Sequence, residues 1–401
     1  MLGLPVLREA RMRSEQHWRV GYGEGAPDAD DPQFAIAMDE YVANYAFKAA
    51  TSDAVHPRFV RNFMPPYHWQ GRAGPGKAVP GARMGGDNPD NCYRLAGIEH
   101  GGRYRIRIVP VGGDPAHVSF TLTGNWGTSV TIQTLELHYL EREEDGSAII
   151  TIDADPAGGR CNHLTTLPHV KFLFVRDSMT DWARETPVDL SIERTDSVER
   201  APLSIDEMAA RAAFRLLEDV PLYYWFQRLS MGKPPNHIAP PIRTASYGGL
   251  VTQATAIGHL RLAVDEAAII TFDPAGARYA SIDLVGPWYQ SIEAHERQSG
   301  LTMKMAASNP DGTITCVASI RDPGIANWLD TGGFPDTLPL IRWQGLPARE
   351  VGSGPVFDLA FMATDEVASR LPTHGTRIDA QGRQRQLEAR RSAFDRRITI
   401  S

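Results

Sequence analysis

Two stretches decide how this chain folds: AHVSFTLTGNW (residues 116–126) and RYASIDLVGPW (residues 278–288). In the first, Val118, Phe120 and Leu122 alternate with Ser119, Thr121 and Thr123. A period of two is the mark of a strand with one face buried. The second keeps the same rhythm and ends on the same landmarks, so that Gly124 matches Gly286 and Trp126 matches Trp288. The correspondence continues downstream. Asp145-Gly146, Asp155-Pro156, Asn162 and Arg176 recur as Asp311-Gly312, Asp322-Pro323, Asn327 and Arg342. Landmarks in the same order at a near-constant offset predict an internal duplication.

Working outward, the strands before and after these stretches read as antiparallel. Tyr104, Ile106 and Ile108 alternate with Arg103, Arg105 and Arg107. Further strands run through TIQTLELHYL, AIITIDA, KFLFVRD and VDLSIER. The expected class is mainly β with helical segments: duplicated antiparallel β-sandwich or jelly-roll-like units joined by a helical insert. Asp30 to Thr51 predicts a helix, capped by Asp30 or Asp31, with Pro32 in its first turn. Phe34, Met38, Tyr41, Val42 and Tyr45 share one face of it. Residues 204–231 predict a second helix, because Ser204 and Glu207 have capping-box spacing. The expected organisation is an N-terminal helical and loop region (1–85), a first β unit (86–200), a helical insert (201–245), a second β unit (246–363) and a basic tail (364–401). The tail, with seven arginines between Arg377 and Arg397, reads as a solvated helix or an oligomer arm.

The chain has 401 residues, 41 Lys and Arg against 48 Asp and Glu, and a net charge of −7. No basic stripe runs through its centre, which argues against a nucleic-acid partner. No run of about 18 apolar residues exists, so no membrane span is expected. Three scattered cysteines (Cys92, Cys161, Cys316) form neither a disulfide framework nor a zinc knuckle. With no apolar signal segment near Met1, the expected location is cytoplasmic. The small-molecule partner comes without nucleic acid or membrane, and a homo-oligomer is expected from the tail.

Familiar catalytic strings fail on context. Gly21-Tyr-Gly23-Glu-Gly25-Ala26 is followed by Pro27 and acids, not by a helix that would meet a pyrophosphate. Ser230-Met-Gly-Lys233 lacks the companion motifs of penicillin-recognising enzymes. Of the histidines, only Asn162-His163 with His169 falls on one loop, too few for a metal site, so no metal and no cofactor is expected.

Two loops are rich in chemistry. GDNPDNCYR (residues 86–94) packs acids, amides, a phenol and a guanidinium where the chain enters a sheet. Asn88 and Asp90 suit a turn as well as a site. Tyr93 would serve as an acid and Arg94 as a charge stabiliser, with Asp90 as base or orienting group. The second loop, DPGIANWLDTGG (residues 322–333), offers Trp328 for stacking and Asn327 and Asp330 for polar contacts, or it simply closes a sandwich end. Trp126, Trp288, Tyr289 and Arg342 complete the expected binding set.

The N-P-D-x-x-Y-R loop, Asp181-Trp182, the D-P-G-x-x-N-W-L-D string and Arg342-Trp343 resemble a bacterial family known only by a C-terminal domain of unknown function. That resemblance covers roughly residues 85–345 and implies a β-rich, jelly-roll-like fold. The chain is also similar in general character to cofactor-free phenylcoumaran γ-formaldehyde lyases of lignin catabolism. That second resemblance implies a cofactor-independent lyase on a hydrophobic aromatic small molecule, releasing formaldehyde and opening a ring ether. Two alternatives stand beside it: a non-catalytic binder of carbohydrate or a hydrophobic ligand, and a metal-dependent hydrolase or dioxygenase.

Overall fold

The alternation in YRIRIV is realised as a strand whose Tyr104, Ile106 and Ile108 are buried while Arg105 and Arg107 face solvent. Arg107 meets Asp145 at 2.9 Å on that outer face. The same logic builds both units of the computed structural model, which describes residues 1–22, 32–62, 69–70, 78–79, 81–126, 130–231, 234–243, 252–347, 355–371 and 377–399.

The first unit comprises β1 (Val60–Asn62), β2 (Asn91–Gly97), β3 (Tyr104–Val109), β4 (His117–Thr123), β5 (Thr131–Glu136), β6 (Ala148–Asp153), β7 (His163–Thr165), β8 (Phe172–Ser178) and β9 (Asp189–Arg194). The second comprises β10 (His237–Ile238), β11 (Ala254–Arg261), β12 (Glu266–Phe272), β13 (Tyr279–Val285), β14 (Gly300–Thr302), β15 (Ile314–Ser319), β16 (Trp328–Asp330), β17 (Asp336–Gln344) and β18 (Phe357–Ala363). The sheets of the first unit run β1-β2-β8-β4-β5 and β9-β3-β6-β7. Those of the second run β10-β11-β17-β13-β14 and β18-β12-β15-β16, the former with Ile242–Arg243 added beside β11. The two orders are the same, strand for strand, so the duplication read from Gly124/Gly286 and Trp126/Trp288 is a duplication of topology. Pairing is antiparallel except at β6·β7 and β15·β16, one short parallel pair in each unit.

Each sandwich has its own core. Ile106, Phe120, Leu122, Ile150 and Leu173 fill the first; Ile270, Ile282, Ile314, Ile341 and Trp343 fill the second. Burying each such side chain contributes roughly 1.5–3 kcal/mol.

The other face of the first five-stranded sheet, carrying Tyr93, Leu95, Phe172 and Phe174, is covered by helices. These are α1 (Pro5–Tyr22), α2 (Pro32–Ala50) and α3 (Ile205–Met231). α2 begins at Pro32 as its first-turn position predicts, and Phe34, Met38, Tyr41 and Tyr45 are all buried. Asp30 and Asp31, the expected caps, lie outside the described residues, as do most of residues 63–80 and parts of the Gly21–Ala26 and Ser230–Lys233 strings. α3 opens on the predicted capping box: the Ser204 N–H donates to Glu207 Oε2 at 2.8 Å, and the Glu207 N–H donates to Ser204 Oγ at 3.2 Å. Two further helices follow, α4 (Thr364–Arg370) and α5 (Ala380–Thr399).

The basic tail is a helix, but it is not freely solvated. In α5, Arg383 reaches Asp322 and the Ile325 carbonyl, Arg390 lies 4.2 Å over the Trp182 ring, and Phe394 is buried. Period-3.6 reading of a charge-rich segment misses such docking because the anchoring groups are arginines rather than apolar residues. Among the described residues, no helix is long and apolar enough to cross a membrane.

Candidate functional site

The strands that bury Ala280, Ile282, Ile341 and Trp343 inward turn Tyr279, Ser281, Asp283, Arg342 and Gln344 the other way, because successive side chains alternate. On a lone sandwich these polar residues would face water. Here they face the first unit, and all five are buried. Ser178 Oγ of β8 donates to Gln344 Oε1 of β17 at 2.6 Å across the seam.

The loop 86–91 enters this seam and is tied down on both sides. Asn88 Nδ2 donates to Tyr279 Oη at 2.8 Å. Asp90 accepts from Trp182 Nε1 at 2.8 Å through one oxygen, and its other oxygen lies 2.6 Å from Tyr279 Oη. Tyr279 Oη is also 2.6 Å from Ser281 Oγ, which donates to Asp283 Oδ2 at 3.2 Å. Arg342 donates to Asp283 at 2.7 Å, and to the Gly86 and Asp87 carbonyls at 3.1 and 2.9 Å. Asp90, Tyr279, Ser281, Asp283 and Arg342 thus form one continuous buried chain of polar groups.

Electrostatics within it are set by desolvation. Burial first, and the neighbouring charge of Asp90 second, push the Asp283 carboxyl well above the usual carboxylate range, against the pull of Arg342. Burial likewise drives the Tyr279 phenol far above its ordinary value.

Tyr93 stands at the edge of this chain, facing the helices. Its hydroxyl accepts from the Asn88 N–H at 3.2 Å and, in the amide orientation seen, from Asn91 Nδ2 at 2.9 Å. Among the described residues it meets no acceptor for its own proton. Burial raises its pKa, opposed by the charges of Arg342 and Arg176, so the phenol stays protonated at neutral pH. Its ring packs against Phe174 at 5.3 Å. Across the strand pair, Tyr93 is registered with Arg176.

The expected site residues therefore divide. Asn88, Asp90, Tyr93 and Arg342 come together. Arg94 does not: it follows Tyr93 in a strand, so it points to the opposite face, where it is paired with Asp177 and the Val188 carbonyl. The cation beside Tyr93 is Arg176, whose guanidinium lies 4.4 Å over Phe174.

Tyr289 stacks on Phe226 with ring centroids 6.1 Å apart and presses on Gly86, whose φ of +66° and closeness to the Tyr289 ring would strain any side chain placed there. Trp288 sits in the helical layer against Phe34 at 4.6 Å and lines a small cavity of about 40 Å³ with Arg83 and Ser291. Trp126 packs edge-on against Phe172 and floors a cleft of about 490 Å³ rimmed by Lys171, Arg200 and Arg211.

The second loop lies elsewhere, and its polar groups are used within the chain. Asn327 bonds the backbone of Ala307 and Thr315, Trp328 donates to the Ser319 carbonyl under Arg383, and Asp330 holds Arg297 at 3.0 Å. Tyr279, Ser281 and Asp283 escaped sequence reading because they occupy the polar phase of β13, and Arg176 because it shares the phase of Phe172 and Phe174 on a face that reads as apolar core. His163 and Asn162 are bonded to Thr151 and the Glu141 backbone. No cluster of three or more His, Cys, Asp or Glu converges among the described residues.

A second buried charge cluster adjoins the seam. Glu40 of α2 pairs with Arg83, which also bonds the Ser291 carbonyl, while Asp87 accepts from the Ser291 N–H at 2.7 Å. Burial pushes Glu40 up to about 7, with Arg83 pulling it down. A carboxyl raised on folding stabilises the fold fully below its ordinary range and loses that contribution as pH rises through the folded value. The thermal midpoint is therefore expected to fall between about pH 5 and about pH 8, and Glu40→Gln to make the slope shallower. A slope unchanged in Glu40→Gln, measured by calorimetry across that range, contradicts the assignment.

No family model matches this chain, and no curated protein matches it. Among solved structures it is similar to an uncharacterized protein from Burkholderia cenocepacia, at 25% identity and a TM-score of 0.71, over 89% of this chain and 96% of that one. A protein from Vibrio parahaemolyticus aligns at 10% identity and a TM-score of 0.41, over 81% of this chain and 99% of that one. The first likeness is one of fold, to a protein without an assigned function.

Proposed function

We propose that the chain is a cofactor-independent lyase acting on a small hydrophobic aromatic molecule, with Tyr93 as its proton-transfer group. The observation that carries this is the Tyr93 hydroxyl, which accepts two hydrogen bonds, donates none to a described residue, and lies beside two guanidinium groups. Such a phenol can give up its proton, and its anion would be held by the same donors and charges. Arg176 and Arg342 take the charge-stabilising role expected of Arg94. Asp90, bonded to Tyr279 and Trp182, acts as a positioning residue for the loop.

For a phenylcoumaran bearing a primary alcohol, the steps balance as follows. Tyr93 gives its proton to the ring ether oxygen as that carbon–oxygen bond breaks. The adjacent carbon–carbon bond supplies the electron pair for the new double bond and releases formaldehyde. The tyrosinate takes the proton of the departing alcohol and is neutral again. Nothing is oxidised or reduced overall beyond this fragmentation, and water is not consumed.

The test is formaldehyde trapping after incubation of metal-stripped protein with aromatic dimers that carry a primary alcohol next to a cyclic aryl ether. Formaldehyde equimolar with a new phenol is the expected result. Binding of these dimers without any product would replace the lyase by a binding role, which the open cleft beside Trp126 and Phe172 would serve.

A further inference from the structure

The duplication puts an arginine at the same position in both units. Arg176 on β8 is registered with Ser119 of β4, and Arg342 on β17 with Ser281 of β13. Two residues along, β4 carries Thr121 where β13 carries Asp283. Both arginines use the same nitrogen on that neighbour. Arg342 Nη1 donates to the Asp283 carboxylate at 2.7 Å, and Arg176 Nη1 donates to Thr121 Oγ1 at 3.3 Å.

The second unit therefore supplies its own counter-charge, and the described residues of the first do not. Among the described residues, no carboxylate lies within ion-pair distance of Arg176. The residue is only 7% exposed, and burial lowers its pKa to about 10, so it is still a cation at neutral pH. A buried charge destabilises a fold unless something pairs with it. Its flat face is already stacked on Phe174, with Tyr93 alongside, so its remaining donors border an aromatic wall. A planar guanidinium of this kind matches a carboxylate through paired N–H donors.

We propose that Arg176 receives the carboxylate of a small aromatic acid, which fills the position that Asp283 holds in the second unit. This names the substrate class of the site proposed above and rests on that reading for its location, not for turnover. Thr121 is then a specificity position, because an acid there would occupy the arginine from within.

Calorimetric titration tests this with benzoate as probe and benzyl alcohol as its uncharged match. The wild-type chain is expected to bind benzoate at least about tenfold more tightly than benzyl alcohol. Thr121→Asp is expected to lose that preference while keeping or raising the thermal midpoint of the free protein. Arg176→Gln, which needs no new charge to be accommodated, is expected to lose it as well. Equal binding of benzoate and benzyl alcohol by the wild type overturns the proposal. So does benzoate binding that survives unchanged in folded Thr121→Asp or Arg176→Gln protein. Benzoate binding with no turnover of any dimer would leave the carboxylate site standing and remove the lyase. Turnover of uncharged dimers as fast as of their carboxylated counterparts would do the reverse.

Discussion

Tyr93→Phe is expected to lower turnover by about 10²–10⁴-fold, the range over which a positioned acid–base group accelerates a reaction. Loss of the hydroxyl also leaves the Asn88 N–H and the Asn91 amide without their acceptor, at a cost of about 1–3 kcal/mol. Activity is therefore to be compared well below the midpoint of the variant, with the fold checked by near-ultraviolet circular dichroism. Arg176→Lys separates chemistry from structure. It keeps a positive charge but loses the fork over Phe174, so substrate affinity is expected to weaken more than the maximal rate. Full turnover by folded Tyr93→Phe protein would remove Tyr93 from the reaction.

The largest stability effect is expected at Arg342. Arg342→Met strips the buried Asp283 carboxyl of its cation and leaves the Gly86 and Asp87 carbonyls without their donor. Breaking a buried pair from one side costs about 3–5 kcal/mol, which for a chain of 401 residues corresponds to a fall of roughly 4–6 °C in the thermal midpoint. Since Arg342 is the only described side chain joining Asp283 to the 86–87 backbone, the seam is expected to loosen with it, and Tyr93 activity to fall. Adding Asp283→Leu removes the stranded acid as well. The double variant is expected to recover at least half of the lost stability, because an apolar pair of similar volume removes the unpaired charge. A single variant with an unchanged midpoint would show that the seam does not depend on this pair.

What was legible in the sequence follows the range of the interaction. Gly124/Gly286 and Trp126/Trp288 report strand ends, which are local, so the duplicated β architecture could be read from them. The capping box at Ser204 and the stripe from Phe34 to Tyr45 are local in the same way. α1 is less visible: its buried residues, Leu7, Ala10, Ser14 and Trp18, keep helical spacing, but arginines and glutamates between them hide the stripe.

In the site, the loop 86–94 stands out by composition, and Asn88, Asp90 and Tyr93 indeed meet there with Arg342. Arg94 was separable from Tyr93 by strand alternation alone. Tyr279, Ser281 and Asp283 were not separable from a solvent-facing strand edge, since only the docking of one sheet against another buries them. Asn327, Trp328 and Asp330 look alike in sequence whether they bind a ligand or a backbone carbonyl, and here they hold the loop and the α5 contact.

The most direct measurement is product mass after turnover of a phenylcoumaran in heavy water. The account predicts loss of one formaldehyde with no deuterium retained on carbon, because Tyr93 protonates the departing ether oxygen and the electron pair goes into a double bond. A product that has lost formaldehyde but carries one carbon-bound deuterium, with its ether ring closed, would contradict it, as would the absence of any formaldehyde loss.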